Sequence, residues 1–104
     1  MRDDQPFLMF NALWFKPDTG SATYKKYLAL AAPVLRRHGG RLVTGGTPRQ
    51  AIIGEFDADL VFFVEYPSWD AFQAMLADPE YKKALPFREE AIVKSLLIRC
   101  EKMG

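Results

Sequence analysis

The chain contains one cysteine and one histidine in 104 residues. A lone Cys100 excludes an internal disulfide and fits a reducing compartment. His38 and Cys100 form no H-x-x-x-H or C-x-x-C spacing, so no metal centre is expected. Charge of one sign is also lacking: the formal net charge is +1, so no field draws in nucleic acid or an anionic membrane surface. Long apolar runs are missing too. The longest near-continuous one, Leu60 to Val64, falls far short of the roughly 20 residues of a membrane span. The opening Met1-Arg2-Asp3-Asp4-Gln5-Pro6 has no apolar core of signal-peptide type, and a cytoplasmic protein is expected. No serine sits in a G-x-S-x-G elbow. The glycine pairs Gly39-Gly40 and Gly45-Gly46 follow a helical pattern and precede a strand, the reverse of a phosphate loop at a helix N-terminus. No cofactor is expected.

What is present is an ordinary globular composition, 49% apolar and 26% charged, sufficient for one domain over residues 1–104 behind a frayed polar lead-in at 1–6. Phe7 to Lys16 is apolar on both alternating sets, apart from Asn11, and reads as a strand covered on both sides. Pro17-Asp18-Thr19-Gly20 is a turn, with Thr19 or Ser21 as cap. From Ser21 to His38 a stripe of Tyr24, Tyr27, Leu28, Ala31, Leu35 and His38 predicts an amphipathic helix, bent or broken at Pro33. Gly39 supplies the left-handed stop. Arg41 to Thr44 is a short strand, with a bend or bulge at Gly45-Gly46-Thr47-Pro48 and a continuation over Gln50 to Ile53. Leu60 to Tyr66 is a second two-sided strand, ended by Pro67. Ser68 caps a helix over Trp69 to Ala77, and Asp78-Pro79 opens another helical turn. Pro86 begins or kinks a third helix carrying Arg88, and Ser95 to Lys102 alternates as a last strand near an edge. Leu28, Leu35, Phe72 and Leu76 are expected in the core.

Strand, helix, strand, strand, helix, strand is the split βαβ order of an α+β, ferredoxin-like βαββαβ fold: a four-stranded antiparallel sheet with its helices on one face. The opposite face should then be polar, yet the first and third strands are apolar on both sides. A second copy of the chain, sheet against sheet, is the simplest cover, so a homodimer is expected.

Gly39-Gly40-Arg41-Leu42-Val43-Thr44-Gly45-Gly46 is the most specific part of a wider pattern. It continues through Val64-Glu65-Tyr66-Pro67-Ser68, Asp78-Pro79-Glu80-Tyr81 and Arg88-Glu89-Glu90-Ala91, with Tyr24, Tyr27 and Pro33 in place. This pattern resembles the bacterial family called domain of unknown function 1330, over about Met9 to Glu101. That family is similar to the dimeric α/β-barrel superfamily, which implies two ferredoxin-like protomers closing a shared barrel. The chain departs from it at Phe56, where the family has tryptophan, and at Ala58 and Leu60, where it has proline and arginine. The resemblance carries over no catalytic role.

Polar residues in apolar or cleft-lining positions are the remaining candidates for chemistry. Asn11 on a central strand needs hydrogen-bond partners. Arg41, Glu65 and Arg88 are most economically an ion-pair set tying strand to helix, although each is also a candidate ligand contact. Tyr24, Tyr27, Trp69 and Tyr81 offer aromatic walls with polar tips, packing being the simpler role for the first two. The expected ligand-binding set is Asn11, Tyr27, His38, Arg41, Glu65 and Arg88, around a pocket between sheet and helices that takes a small organic molecule. An alternative is a cofactor-independent oxygenase or isomerase acting on an aromatic or enolisable substrate, with His38 as proton shuttle. A structural or regulatory dimer without a ligand is the third reading.

Overall fold

The computed structural model of the protein describes residues 1–103. Its elements run β1 (Phe7–Phe15), α1 (Gly20–Arg37), β2 (Arg41–Gly46), β3 (Leu60–Tyr66), α2 (Trp69–Ala77), α3 (Pro79–Ala91) and β4 (Ile92–Cys100). The strands form one antiparallel sheet in the order β2-β3-β1-β4. This is the ferredoxin-like α+β arrangement expected from the element order.

Side chains alternate across a strand, so the register sorts the sheet into two faces. Phe7, Met9, Asn11 and Leu13 of β1 share one face with Phe62, Val64 and Tyr66 of β3. Against it pack Tyr24, Tyr27, Ala31 and Val34 of α1, Phe72 and Met75 of α2, and Tyr81, Ala84 and Ala91 of α3. All helices therefore cover this one side. The other face carries Leu8, Phe10 and Ala12 opposite Phe63 and Val61, and opposite Ile98 and Leu96. The rings of Phe10 and Phe63 lie 5.4 Å apart there, and no helix covers them.

The helix boundaries follow from capping chemistry. Ser68 Oγ accepts from the Ala71 backbone N–H at 3.1 Å and opens α2. Asp78 Oδ1 accepts from Glu80 N at 2.9 Å, with Pro79 in the first turn of α3. Thr19 holds the N-cap position of α1 without a side-chain bond. At the far end Gly39, at φ 84°, donates to Arg36 O, and Gly40 donates to Leu35 O. That pair of bonds is the Schellman closure, and its left-handed residue favours glycine.

Several expectations are corrected. Pro33 does not break α1, which runs unbroken to Arg37. The carbonyl Pro33 leaves without a donor belongs to Ala29; both residues are exposed, on the side of α1 open to water. Pro86 likewise lies inside one continuous α3. The irregularity in β2 falls between Leu42 and Thr44, while Gly45 and Gly46 pair directly with Phe62 and Val61. A Cβ on Gly45 would stand 2.8 Å from Phe62 Cβ and 2.9 Å from Val61 O, so glycine there permits close approach to β3. Gln50 to Ile53 forms no strand: Pro48 offers no donor, and Ile53 is 94% exposed ahead of the left-handed Gly54. The loop is pinned further on, where Asp59 N donates to Leu13 O and Asp59 Oδ2 accepts from Phe15 N, both at 2.8 Å. Leu28 and Leu76 are not core, at 41% and 40% exposure. The buried stripe of α1 is centred on Tyr24, Tyr27, Ala31 and Val34, which leaves Leu28 on its flank.

Candidate functional site

Between the helix-facing side of the sheet and α1 lies a cavity of about 400 Å³. Asn11, Phe62, Val64 and Tyr66 form its floor, and Tyr24, Tyr27, Ala31 and Leu35 its roof. Leu42 of the edge strand β2, 64% exposed, is also on its wall. A second lobe of about 380 Å³ shares Asn11, Tyr27, Tyr66 and Arg88 with the first and extends to Met75, Tyr81 and Leu97. A more open hollow of about 680 Å³ beside Lys16, Asp18, Lys25 and Asp59 has a solvated wall of mixed charge.

Asn11 is 8% exposed and makes one side-chain hydrogen bond, from Nδ2 to Met9 O at 3.2 Å. A carbonyl only accepts, so the amide nitrogen must face Met9, leaving Oδ1 as an acceptor on the wall of both lobes. The Tyr27 and Tyr81 hydroxyls touch at 3.0 Å. Two hydroxyls sharing one hydrogen bond leave one proton to donate elsewhere. Burial pushes the Tyr24 phenol up to about 12 against the pull of Arg88. Burial, reinforced by Tyr81, raises Tyr27 and Tyr66 further. All three stay neutral donors at any physiological pH.

The expected site residues fall into two groups. Asn11, Tyr27, Arg41 and Arg88 line the cavity. Glu65 and His38 are not among its wall residues. Glu65 accepts from Arg41 Nε at 2.9 Å and pairs with Lys102, which together hold its carboxyl below the usual range, Lys102 contributing most. The ion-pair set is therefore Arg41, Glu65 and Lys102, and Arg88 is not its third member. Arg41 and Glu65 are cross-strand partners joined by their side chains, and no hydrogen bond or ion pair joins Arg88 to Glu65. Trp69 is likewise off the cavity wall, packed against Phe7 and beneath the Arg99 guanidinium. Sequence reasoning missed Tyr66, Leu97 and Arg36. Tyr66 was findable from its place on the helix-facing alternation of β3.

His38 caps the end of α1, with Nε2 2.9 Å from Asp78 Oδ2. The same Asp78 oxygen takes Arg37 at 2.7 Å. His38, the Glu80 backbone N–H and Arg37 hold Asp78 at about 2, below its ordinary 3.8. A depressed folded-state pKa adds stability above the unfolded value that is lost as pH falls through the folded one. Calorimetry of Asp78→Asn should show a lower Tm than wild type at pH 6, with the gap closing between pH 4 and pH 2. A gap unchanged at pH 2 would show that Asp78 acts here without its charge.

Among the described residues no three His, Cys, Asp or Glu side chains converge as a metal site, and no helix is long and apolar enough to cross a membrane. The fold and cleft define a ferredoxin-like α+β protein of the class whose helices roof one sheet face. The chain belongs to the family described as Domain of unknown function (DUF1330), whose pattern matches residues 18–99. It is 34% identical to a protein of unknown function from Rhodopseudomonas palustris, with a TM-score of 0.91 over 97% of this chain and 85% of that one. A dimeric protein of unknown function and ferredoxin-like fold from Bacteroides fragilis is similar in fold at 10% identity, with a TM-score of 0.67 over 93% of this chain and 96% of that one. An uncharacterized NIPSNAP domain protein from Burkholderia xenovorans is also similar in fold, at 14% identity and a TM-score of 0.67 over 94% and 95% of the two chains. Comparison with curated proteins finds no match.

Proposed function

We propose that this protein is a homodimer that binds a small organic molecule in the cleft between its sheet and α1. The observation that carries the ligand is Asn11. Its side-chain oxygen has no hydrogen-bond partner among the described residues and is not sealed from solvent, so on the wall of both lobes it is free to accept from a ligand. Cavities of a few hundred Å³ with a few convergent polar groups are the usual form of small-molecule sites. The second copy is supported by the helix-free sheet face of Leu8, Phe10, Phe63, Leu96 and Ile98, an apolar patch that water covers poorly.

The proposal does not extend to proton shuttling by His38, whose ring is engaged by Asp78 away from the cavity wall. A ligand-free structural dimer would account for the open sheet face but not for the cavity or the Asn11 acceptor.

Asn11→Leu separates these readings. The leucine removes an acceptor that has no protein partner and, being larger, fills part of the cavity, so the free protein should be as stable as wild type or more so, by about 1 kcal/mol. In a thermal-shift screen of small metabolites, a compound at 100 times its Kd should stabilise wild type by about 2.7 kcal/mol. The same compound should leave Asn11→Leu unshifted. A less stable Asn11→Leu protein, or a hit it retains in full, would mark Asn11 as structural.

A further inference from the structure

Arg88 stands on the wrong side of its helix for a solvated arginine. Tyr81, Ala84 and Ala91 form the buried stripe of α3, and Arg88 continues it at the i+4 spacing from Ala84. Its half-buried side chain lines both lobes of the cleft. Among the described residues no carboxylate lies within 4.0 Å of it, although Glu89 and Glu90 are its chain neighbours. A guanidinium drawn inward normally has a partner, because desolvating an unpaired charge is costly.

The rest of the wall has the same bias. The lining of the two lobes includes Arg36, Arg41 and Arg88 and not one aspartate or glutamate. Arg41 is already answered by Glu65. Arg36 is an exposed residue of the outer lobe's wall and keeps its charge in water. Arg88 is thus the one inner cation without an acid beside it. Around it are the neutral phenols Tyr24 and Tyr27, with the spare hydroxyl proton of the Tyr27–Tyr81 pair. These are donors with no carboxylate to meet them; the one neutral acceptor on the wall is Asn11, which makes no hydrogen bond to Arg88, and much of the rest is apolar, with Ala31, Leu35, Phe62 and Val64.

We infer that the cleft selects a small organic acid, its carboxylate held by Arg88 with a tyrosine hydroxyl and its compact apolar body lying between Tyr27 and the sheet. The inference rests on the cleft being a binding site and adds the chemical class of its occupant. A planar guanidinium matches a carboxylate by two parallel hydrogen bonds. The single unanswered inner charge suits a monoanion.

Isothermal titration with benzoate, phenylacetate and hexanoate, each against its neutral amide, tests this. Methyl NMR signals of Ala31 and Met75 report whether binding is in the cleft. The expected result is that at least one acid binds wild type on the order of tenfold or more tightly than its amide, as a charge-assisted hydrogen bond implies. Arg88→Gln should erase that preference while leaving amide binding alone, and Arg88→Lys should retain part of it. Circular dichroism checks that each variant is folded, and Arg36→Gln serves as the exposed-arginine control. Amides binding wild type as well as the acids, or an acid preference that survives Arg88→Gln, overturns the acid inference and leaves the cleft standing. Methyl signals unmoved by every acid and amide overturn the cleft reading itself.

Discussion

Phe10→Asp is expected to convert the proposed homodimer to a monomer at micromolar concentration, as read by sedimentation velocity. Phe10 is at the centre of the helix-free sheet face, on β1 between Phe63 of β3 and Ile98 of β4. In the dimer this position would be desolvated, and an aspartate there has no cationic partner across the register. Two-fold symmetry applies each substitution twice. A buried interface anchor contributes about 2 kcal/mol or more, so the pair of changes should weaken association by roughly three orders of magnitude. The side chain does not enter the helix-side core, so the far-UV spectrum of the monomer should remain native-like. A Phe10→Asp protein that stays dimeric would place any interface elsewhere, and a monomeric wild type would remove the second copy altogether.

Phe7→Ala is expected to cost the fold about 3–5 kcal/mol. Phe7 has no solvent exposure and joins β1 to everything above it. Its ring lies 5.6 Å from Tyr66, 5.9 Å from Trp69 and 6.4 Å from Phe72, and the Arg99 guanidinium sits 4.9 Å over it. Alanine would leave a void bounded by large rigid rings and by Arg99, which is held by Asp3 at 3.1 Å, so the site has little freedom to collapse. Total stabilities are about 5–15 kcal/mol, and each kcal/mol moves Tm by roughly 4–8 °C at this size. The variant should therefore melt tens of degrees early or fail to fold. Phe7→Leu, which keeps much of the volume, should lose less than half as much in urea unfolding. Equal losses would mean that the aromatic geometry rather than the filled volume carries the energy.

How much was legible in the chain differs from element to element. The βαββαβ order followed from period and punctuation, because Pro67, Ser68, Asp78 and Gly39 act within a few residues of themselves. The same locality misled on a break at Pro33 and a new start at Pro86: both helices continue through the proline, whose missing donor faces an exposed residue one turn earlier. Gln50 to Ile53 looked like strand by propensity, but a strand needs a neighbour, and the edge at β2 ends at Gly46. Gly45 read as a bend because a close approach to Phe62 leaves no trace in sequence.

For the site, alternation placed Asn11 on a covered strand face, and helical spacing placed Tyr24 and Tyr27 against it. Pairings between distant residues were not encoded in any period. His38 meets Asp78 across 40 positions, and Arg41 meets Glu65 across 24. Each pairing depends on where a loop returns the chain. By itself, then, the sequence determined which residues face the sheet, which end the helices, and that one sheet face would be left apolar, since these follow from local sterics and burial periodicity. Only the tertiary structure decided that Glu65 is answered by Lys102, that His38 is held by Asp78, and that Arg88 turns inward to an acid-free cavity. Charge partners are chosen by proximity in space, and proximity is a property of the packed chain.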